Sequence, residues 1–164
     1  MVSVTGGERA GPAVVQADEV TTAVIRGVVP VMELVGFFDA SFTSLSRVLS
    51  SQGVGVTGPA FGLYHAPPGD TVDLEVGFAT ERAIRPEGDV TPSTRPGGPV
   101  ARVVHQGGYD ALGPSWQQLE AWIRLQGLTP GSPLWEVYVT KPSPDMNPDD
   151  LHTELNWAVV EPAS

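Results

Sequence analysis

The sequence predicts an α+β fold in which two tandem β-α-β-β modules form an antiparallel sheet with two helices. Three observations predict it: apolar runs typical of strands, two amphipathic helical stripes, and a repeat that relates the two halves. The 164 residues are 41% hydrophobic and 17% charged, which suits a folded core. We expect a flexible tail over 1–13 and one domain over 14–164, divided into module one (14–84), a linker (85–99) and module two (100–161).

Module one is predicted to run strand, helix, strand, strand. The β-branched segment 20–28 is typical of a strand. A helix follows and can end at Gly53. Its apolar stripe recurs at spacings of 4, 3 and 4 residues and comprises Phe38, Phe42, Leu45 and Leu49. Two strands are then expected, over 60–65 and 72–79, separated by the turn-forming sequence PPGD.

The second half repeats this order after a segment rich in proline and glycine. Residues 85–99 contain four prolines and three glycines, a composition that predicts a linker. Strands are expected over 100–105, 134–140 and 153–160, with a helix that ends at Gly127. The stripe of this helix comprises Leu112, Trp116, Leu119 and Ile123. An offset of 74 residues takes Phe42 to Trp116, Leu45 to Leu119, and Tyr64 to Tyr138; after a longer loop an offset of 79 takes Glu75 to Glu154.

Neither module can bury its sheet alone, so we expect the two to pair about a pseudo-twofold axis. Side chains related by the repeat would then lie on either side of a central cleft, which is where a ligand site is expected.

The charge balance argues against some partners and favours others. The chain has 9 Lys plus Arg against 19 Asp plus Glu, a net charge of -10. This field would repel a phosphate backbone, so we expect no direct nucleic-acid binding, and it would attract a cationic small molecule. The N-terminus lacks the features of a signal peptide, and no apolar run reaches the length of a membrane span. We therefore expect a cytoplasmic protein without a membrane partner.

Several functional motifs are absent or in the wrong context. The chain contains no cysteine, and its three histidines, at 65, 105 and 152, lack metal-ligand spacing, so we expect no metal and no cofactor. The sequence GVGVTG at 53–58 matches a dinucleotide-binding pattern, but it follows a helix and precedes a strand, which is the reverse of the required order. Ser115 lies outside a G-x-S-x-G motif and begins a helical turn, so a serine hydrolase is not expected.

The chain closely resembles the GyrI-like small-molecule-binding superfamily, which also supplies the effector domain of some transcription activators. The resemblance covers about residues 14–161 and rests on the order of GPAFGLYH (58–65), DLEVGF (73–78), PGGPVARVVHQGGYDAL (96–112), WEVYVTKP (135–142) and TELNWAV (153–159). One departure is Ala158-Val159, where members commonly have Pro-Val. With no flanking DNA-reading segment in the sequence, the resemblance implies a stand-alone receptor-like domain; a separate regulator that reads the bound state is left open.

The resemblance also implies a cleft with an acid at its base, assigned to Glu154 and surrounded by aromatic residues. Strand alternation places Glu154 and Asn156 on one face and Trp157 on the other. The expected ligand-binding residues are Glu154, Tyr138, Tyr64, Trp157, Asn156, Trp116 and Phe42. The alternative is that Glu154 lies at a sheet edge in water; Trp116 and Phe42 equally suit core packing, and Glu75 suits a structural ion pair.

Three functions are compatible with these features. The first is binding of lipophilic, often cationic compounds, with Glu154 buried in the aromatic cleft. The second is hydrolysis of cyclopropane-bearing DNA-alkylating natural products, with Glu154 as general base and Tyr138 as its catalytic partner. The third is a protein-binding role like that of gyrase-inhibiting members of the superfamily.

Overall fold

The residues at 11–67, 69–140 and 145–161, which the computed structural model describes, form a curled eight-stranded antiparallel sheet with two helices. The predicted α+β class is confirmed. Most of the predicted tail (1–10) lies outside the described residues, as do the predicted turn residue at 68, the end of the WEVYVTKP segment (141–142) and the last residues of the predicted domain (162–164).

The first half of the chain runs strand, strand, helix, strand, strand. Its elements are β1 (Ala13–Ala17), β2 (Val20–Pro30), α1 (Leu34–Gln52), β3 (Val56–Tyr64) and β4 (Thr71–Thr80). Helix α1 ends at Gly53, whose φ of 64° is a left-handed conformation that glycine adopts at little cost.

The second half runs strand, strand, helix, strand, strand. Its elements are β5 (Thr91–Arg95), β6 (Gly98–Gln106), α2 (Leu112–Leu125), β7 (Thr129–Tyr138) and β8 (His152–Val160). A short 3-10 turn, Tyr109–Ala111, leads into α2. Strands β3 and β7 begin earlier than predicted. Each contains a register irregularity beside a proline, Pro59 in β3 and Pro133 in β7, and the alternation of side chains used for prediction is interrupted there.

The strands lie in the order β1-β6-β8-β7-β3-β4-β2-β5, and every pair is antiparallel. The two halves meet in the middle of this order, where β7 pairs with β3, and also near its ends, where β1 pairs with β6 and β5 pairs with β2. Neither helix of the described part is long and apolar enough to cross a bilayer.

The segment predicted as a linker, 85–99, differs from the expectation, since it contains β5 and the beginning of β6. Strand β5 lies at one edge of the sheet, with Pro92 opposite Ala23 of β2. An edge strand tolerates proline because one row of its backbone groups needs no partner in the sheet. Because its composition is rich in proline, this strand is not predicted from the sequence.

Both faces of the sheet carry buried apolar side chains. The larger core joins one face, here called the helix face, to α1 and α2, and includes Leu45, Leu49, Leu74, Val76, Leu119, Ile123, Leu155 and Trp157. The opposite face, here called the outer face, carries a second cluster: Val24, Phe61, Leu63, Val100, Trp135 and Val137. Because side chains alternate along a strand, each residue of β7 or β8 belongs to one face only.

The helices lie over different parts of the sheet. Helix α1 packs on β2 and β4, whereas α2 packs on β6 and β7. The helix face of β3 therefore lies between the part of the sheet that α1 covers and the part that α2 covers, and the candidate site is at this junction of β3 and β7.

Candidate ligand-binding site

A buried carboxylate, Glu136, lies on the helix face of β7 at the junction of the two halves. Glu136 is 5% exposed, and its cross-strand partner in β3 is Gly62. Three side chains donate hydrogen bonds to the carboxylate. The hydroxyl groups of Tyr138 and Tyr64 lie 2.9 and 3.3 Å from Oε1, and the indole Nε1 of Trp116 lies 2.9 Å from Oε2.

Each of these groups reaches the carboxylate from a different element. Glu136 and Tyr138 are two residues apart on β7 and so share a face, whereas Tyr64 comes from β3 and Trp116 from α2. The glycine opposite Glu136 is required by this arrangement, since a Cβ at Gly62 would lie 2.8 Å from the Tyr138 hydroxyl. Any side chain there would displace that hydroxyl from the carboxylate.

The surroundings of Glu136 change its acidity. Burial raises the pKa of Glu136 above its ordinary value, while the hydrogen bonds from Trp116, Tyr138 and Tyr64 act in the opposite direction. Burial and the nearby carboxylate also raise the pKa of both tyrosines. The phenols therefore remain protonated donors, and the carboxyl group is the member of the cluster whose charge can change.

Further aromatic rings surround the hydrogen-bonded cluster. The rings of Phe38 and Tyr109 pack edge-on against Tyr138, with centroids 6.0 and 5.9 Å away. The ring of Trp157 packs in the same way against Trp116 at 5.6 Å. These rings come from α1, from the turn before α2, from α2 and from β8, so the site is built by both halves of the chain.

Of the predicted site residues, Tyr138, Tyr64 and Trp116 meet at one carboxylate, and Trp157 packs beside them. Phe42 lies one layer further away, 6.0 Å from Phe38 and 5.5 Å from Phe78 between ring centroids. It belongs to the apolar core at this edge of the site.

Glu154, which sequence analysis expects at the base of the site, does not lie with the aromatic residues around Glu136. The cross-strand partner of Glu154 is Val137, and both lie on the outer face. There Glu154 lies 3.4 Å from the Arg102 Nε and accepts a hydrogen bond from Asn156. The physical reason is strand alternation in β8. Because Leu155 is fully buried on the helix face, its neighbours Glu154 and Asn156 lie on the opposite face.

Glu75, the residue related to Glu154 by the repeat, has a structural environment. Its carboxylate lies 2.7 Å from the His65 Nε2 and accepts a hydrogen bond from the Ser93 hydroxyl. This environment fits the structural alternative for Glu75, in which the contact with His65 is an ion pair only when the histidine is protonated.

Sequence analysis did not include four residues in this site: Glu136, Tyr109 and Thr153, and Phe38, which it assigned only to the apolar stripe of the first helix. A usable signal existed for Glu136, because it shares the face of Tyr138 on the same strand. Thr153 is the cross-strand partner of Tyr138, is fully buried, and its hydroxyl has no hydrogen-bond partner among the described residues. Within the same ranges, no group of three or more acidic or histidine side chains is placed to hold a metal ion.

Solved structures share this architecture. The chain matches the C-terminal domain of EcmrR with a TM-score of 0.80 and 20% identity, over 92% of this chain and 98% of that one. It also matches EcmrR in a complex with DNA (TM-score 0.82, 20% identity, 92% of this chain), where it spans 57% of the length of that protein. At these identities the likeness establishes the fold.

Two structures with lower TM-scores are described by a bound ligand or by an activity. SAV2435 bound to tetraphenylphosphonium matches with a TM-score of 0.68 and 14% identity, over 92% of this chain and 94% of that one. A hydrolase from Listeria innocua matches with a TM-score of 0.64 and 12% identity, over 94% of each chain. No curated protein matches the chain by sequence. The family described as the GyrI-like small molecule binding domain matches residues 12–160, and the chain belongs to this family.

Proposed function

We propose that the chain binds lipophilic small molecules that carry a positive charge, in the aromatic space between α1 and α2, with Glu136 as the counter-charge. The observation that carries this proposal is a buried carboxylate held by three uncharged donors, Tyr64, Tyr138 and Trp116. A cation that approached Glu136 would stabilise its charged form and offset the cost of its burial.

The rings around Glu136 provide the remaining affinity. A cation above the face of a tyrosine or tryptophan gains about 0.5–2 kcal/mol per ring, and burial of the apolar body of the ligand adds to this. Contacts of this kind depend little on the exact shape of the ligand, which favours broad selectivity. The net charge of -10 would also raise the local concentration of cations.

In the free protein the rings of Phe38 and Tyr109 occupy space beside Tyr138. A bulky ligand must therefore displace at least one of them. Tyr109 is suited to such a movement, since it is 41% exposed and lies two residues after Gly107, whose φ is 132°.

We also infer that the site lies on the pseudo-twofold axis of two tandem modules. Two features support this inference. Tyr64 and Tyr138, which the offset of 74 residues relates, donate to the same oxygen of Glu136. Gly53 and Gly127 are related by the same offset. Each follows a helix and has a positive φ.

Binding can be tested by titration with tetraphenylphosphonium, the ligand in the SAV2435 structure, followed by calorimetry and by tryptophan fluorescence. We expect Glu136→Gln to weaken binding by roughly thirtyfold or more, or about 2 kcal/mol, because the buried counter-charge is lost. The matched control is Glu154→Gln, which removes the same charge from the outer face and should leave the affinity almost unchanged. Equal losses in both variants would mean that only the overall charge matters.

A second candidate function is hydrolytic ring opening of cyclopropane-bearing DNA-alkylating compounds. The observation that favours it is the phenol of Tyr138 at 2.9 Å from the Glu136 carboxylate, an acid and a base within reach of one another. If this function holds, incubation of such a compound with the protein yields the ring-opened product, and Glu136→Gln abolishes its formation.

A further inference from the structure

A hydrogen-bonded serine–histidine pair lies outside the hydrogen-bonded cluster at Glu136. Ser115 is the fourth residue of α2, and its hydroxyl oxygen lies 2.7 Å from the Nδ1 of His105 in β6. The other ring nitrogen of His105, Nε2, lies 3.1 Å from the carbonyl oxygen of Gly108. His105 is 7% exposed, whereas Ser115 is half-buried.

These two contacts fix the tautomer of the imidazole. A backbone carbonyl can only accept, so Nε2 carries the hydrogen and donates it to Gly108. Nδ1 is then left with its lone pair, which accepts the hydroxyl hydrogen of Ser115. A hydroxyl nucleophile, a basic nitrogen and a third group that orients the base are the parts shared by nucleophilic hydrolases on unrelated folds.

The pair opens into a cavity of about 250 Å³. Its walls include Ser115, His105, Gln118, Gly11 and Pro12. At roughly 30 Å³ for each water molecule, the space suits a molecule the size of about eight waters. The aromatic side chains around Glu136 do not line this cavity. His105 is nevertheless close enough to favour the charged form of Glu136, so the cavity is a neighbouring place with a different lining.

We propose that Ser115 and His105 form a second reactive site that accepts an acyl group from a small ester held in this cavity. The Ser115 oxygen attacks the ester carbonyl carbon while its proton passes to the His105 Nδ1. The bond to the alcohol oxygen then breaks, and the alcohol leaves with that proton. Water next attacks the acyl-serine with His105 again as the base, which releases the acid and restores the hydroxyl. The position of Ser115 in the first turn of α2 favours the negative charge that develops beside it.

The same hydrogen bond could serve only to anchor α2 to β6, and the two roles predict different reactivity. A serine that merely anchors a helix reacts no faster than other half-buried serines. An activated serine reacts with diisopropyl fluorophosphate: the oxygen–phosphorus bond forms, the phosphorus–fluorine bond breaks and fluoride leaves. The site of modification can be identified by intact-mass and peptide mass spectrometry of the full chain.

We expect one adduct in the wild type, on Ser115, and none on this peptide in Ser115→Ala. The His105→Asn variant retains hydrogen-bonding groups but has no base. Its rate of reaction should therefore fall by about a hundredfold or more. Ser51→Ala is the matched control, because Ser51 is also a helical serine but donates to the carbonyl of Val48; it should be labelled like the wild type. The same ranking is expected for release of 4-nitrophenolate from 4-nitrophenyl acetate.

Either of two results would overturn the proposal: a wild type that is not labelled at Ser115, or a His105→Asn variant that is folded by circular dichroism and labelled at the wild-type rate. The first result needs no variant, so a loss of folding cannot leave the question open. Binding of tetraphenylphosphonium at Glu136 is measured separately, and each of the two sites can therefore fail without the other.

Discussion

Glu136 differs from Glu154 and Glu75 in the side chains that contact its carboxylate. Glu154 lies 3.4 Å from Arg102, and Glu75 lies 2.7 Å from His65. In the part of the chain that the structure describes, Glu136 forms no ion pair, and its three hydrogen-bond donors are uncharged. A buried acid without an ion-pair partner among the described residues is suited to receive a cation from a ligand.

The acidity of Glu136 makes the stability of the free protein depend on pH. Burial raises the pKa of this group in the folded state, so between the unfolded and folded values the native state binds more protons than the unfolded state. We therefore expect the wild type to lose stability relative to Glu136→Gln as the pH rises above about 4.3, the ordinary value for glutamate. Urea denaturation of both proteins at a series of pH values measures this difference. A difference that is constant with pH, or that changes in the opposite direction, would contradict the raised pKa.

Sequence analysis could identify the companions of the acid but not the acid itself. The repeat relates Tyr64 to Tyr138, and alternation places Glu136 and Tyr138 on one face, so these residues could be grouped. Whether Glu154 shares a face with Tyr138 depends on the register between β7 and β8, in which Glu154 pairs with Val137. Register is a property of a pair of strands, so it cannot be predicted from the periodicity of either strand alone.

At the level of elements, strands and helices with a buried face were predictable, whereas edge strands were not. The six strands inside the sheet and both helices carry apolar patterns. Strands β1 and β5 lie at the two ends of the strand order, and β5 contains a proline. Their formation depends on pairing with β6 and β2, a tertiary effect that composition does not report.

Arg95 at the end of β5 shows how this edge strand is attached to the sheet. Its guanidinium carbon lies 5.0 Å from the ring centre of Phe61 and 5.9 Å from that of Trp135 on the outer face. Burial lowers the pKa of Arg95, as expected for a cation removed from water. The side chain thus connects an edge strand to two strands in the middle of the sheet, β3 and β7.

We expect Arg95→Ala to lower the free energy of unfolding by about 1–2 kcal/mol, through the loss of two cation–π contacts and of the packing of the side-chain stem. Chemical denaturation gives the value. Arg26→Ala is the comparison, since Arg26 lies on β2, the strand beside β5, and forms a surface ion pair with Asp73. Its effect should be smaller because water already screens that pair. If the two substitutions destabilise equally, the rings do not hold β5.

At the level of the whole molecule, the proposed site requires most of the fold to be intact. Its polar groups and rings come from β3, β7, β8, α1 and α2 and from the turn before α2. These elements are far apart in the chain, and the site exists only where β3 and β7 join the two halves. Ligand binding and global folding must therefore be coupled, because the unfolded chain contains no such site.

This coupling predicts a thermal shift that depends on charge. At a free ligand concentration of 100 times Kd, the folded state gains about 2.7 kcal/mol. For a chain of this length that corresponds to a rise in Tm of roughly 5–10 °C. Tetraphenylphosphonium should produce this rise in the wild type and in Glu154→Gln, but not in Glu136→Gln at the same concentration. Triphenylphosphine oxide, a neutral compound with similar rings, should produce a much smaller rise, because it retains the aromatic contacts and lacks the charge. If the neutral compound stabilises the wild type as strongly as the cation does, apolar burial alone drives binding and the carboxylate of Glu136 is not the counter-charge.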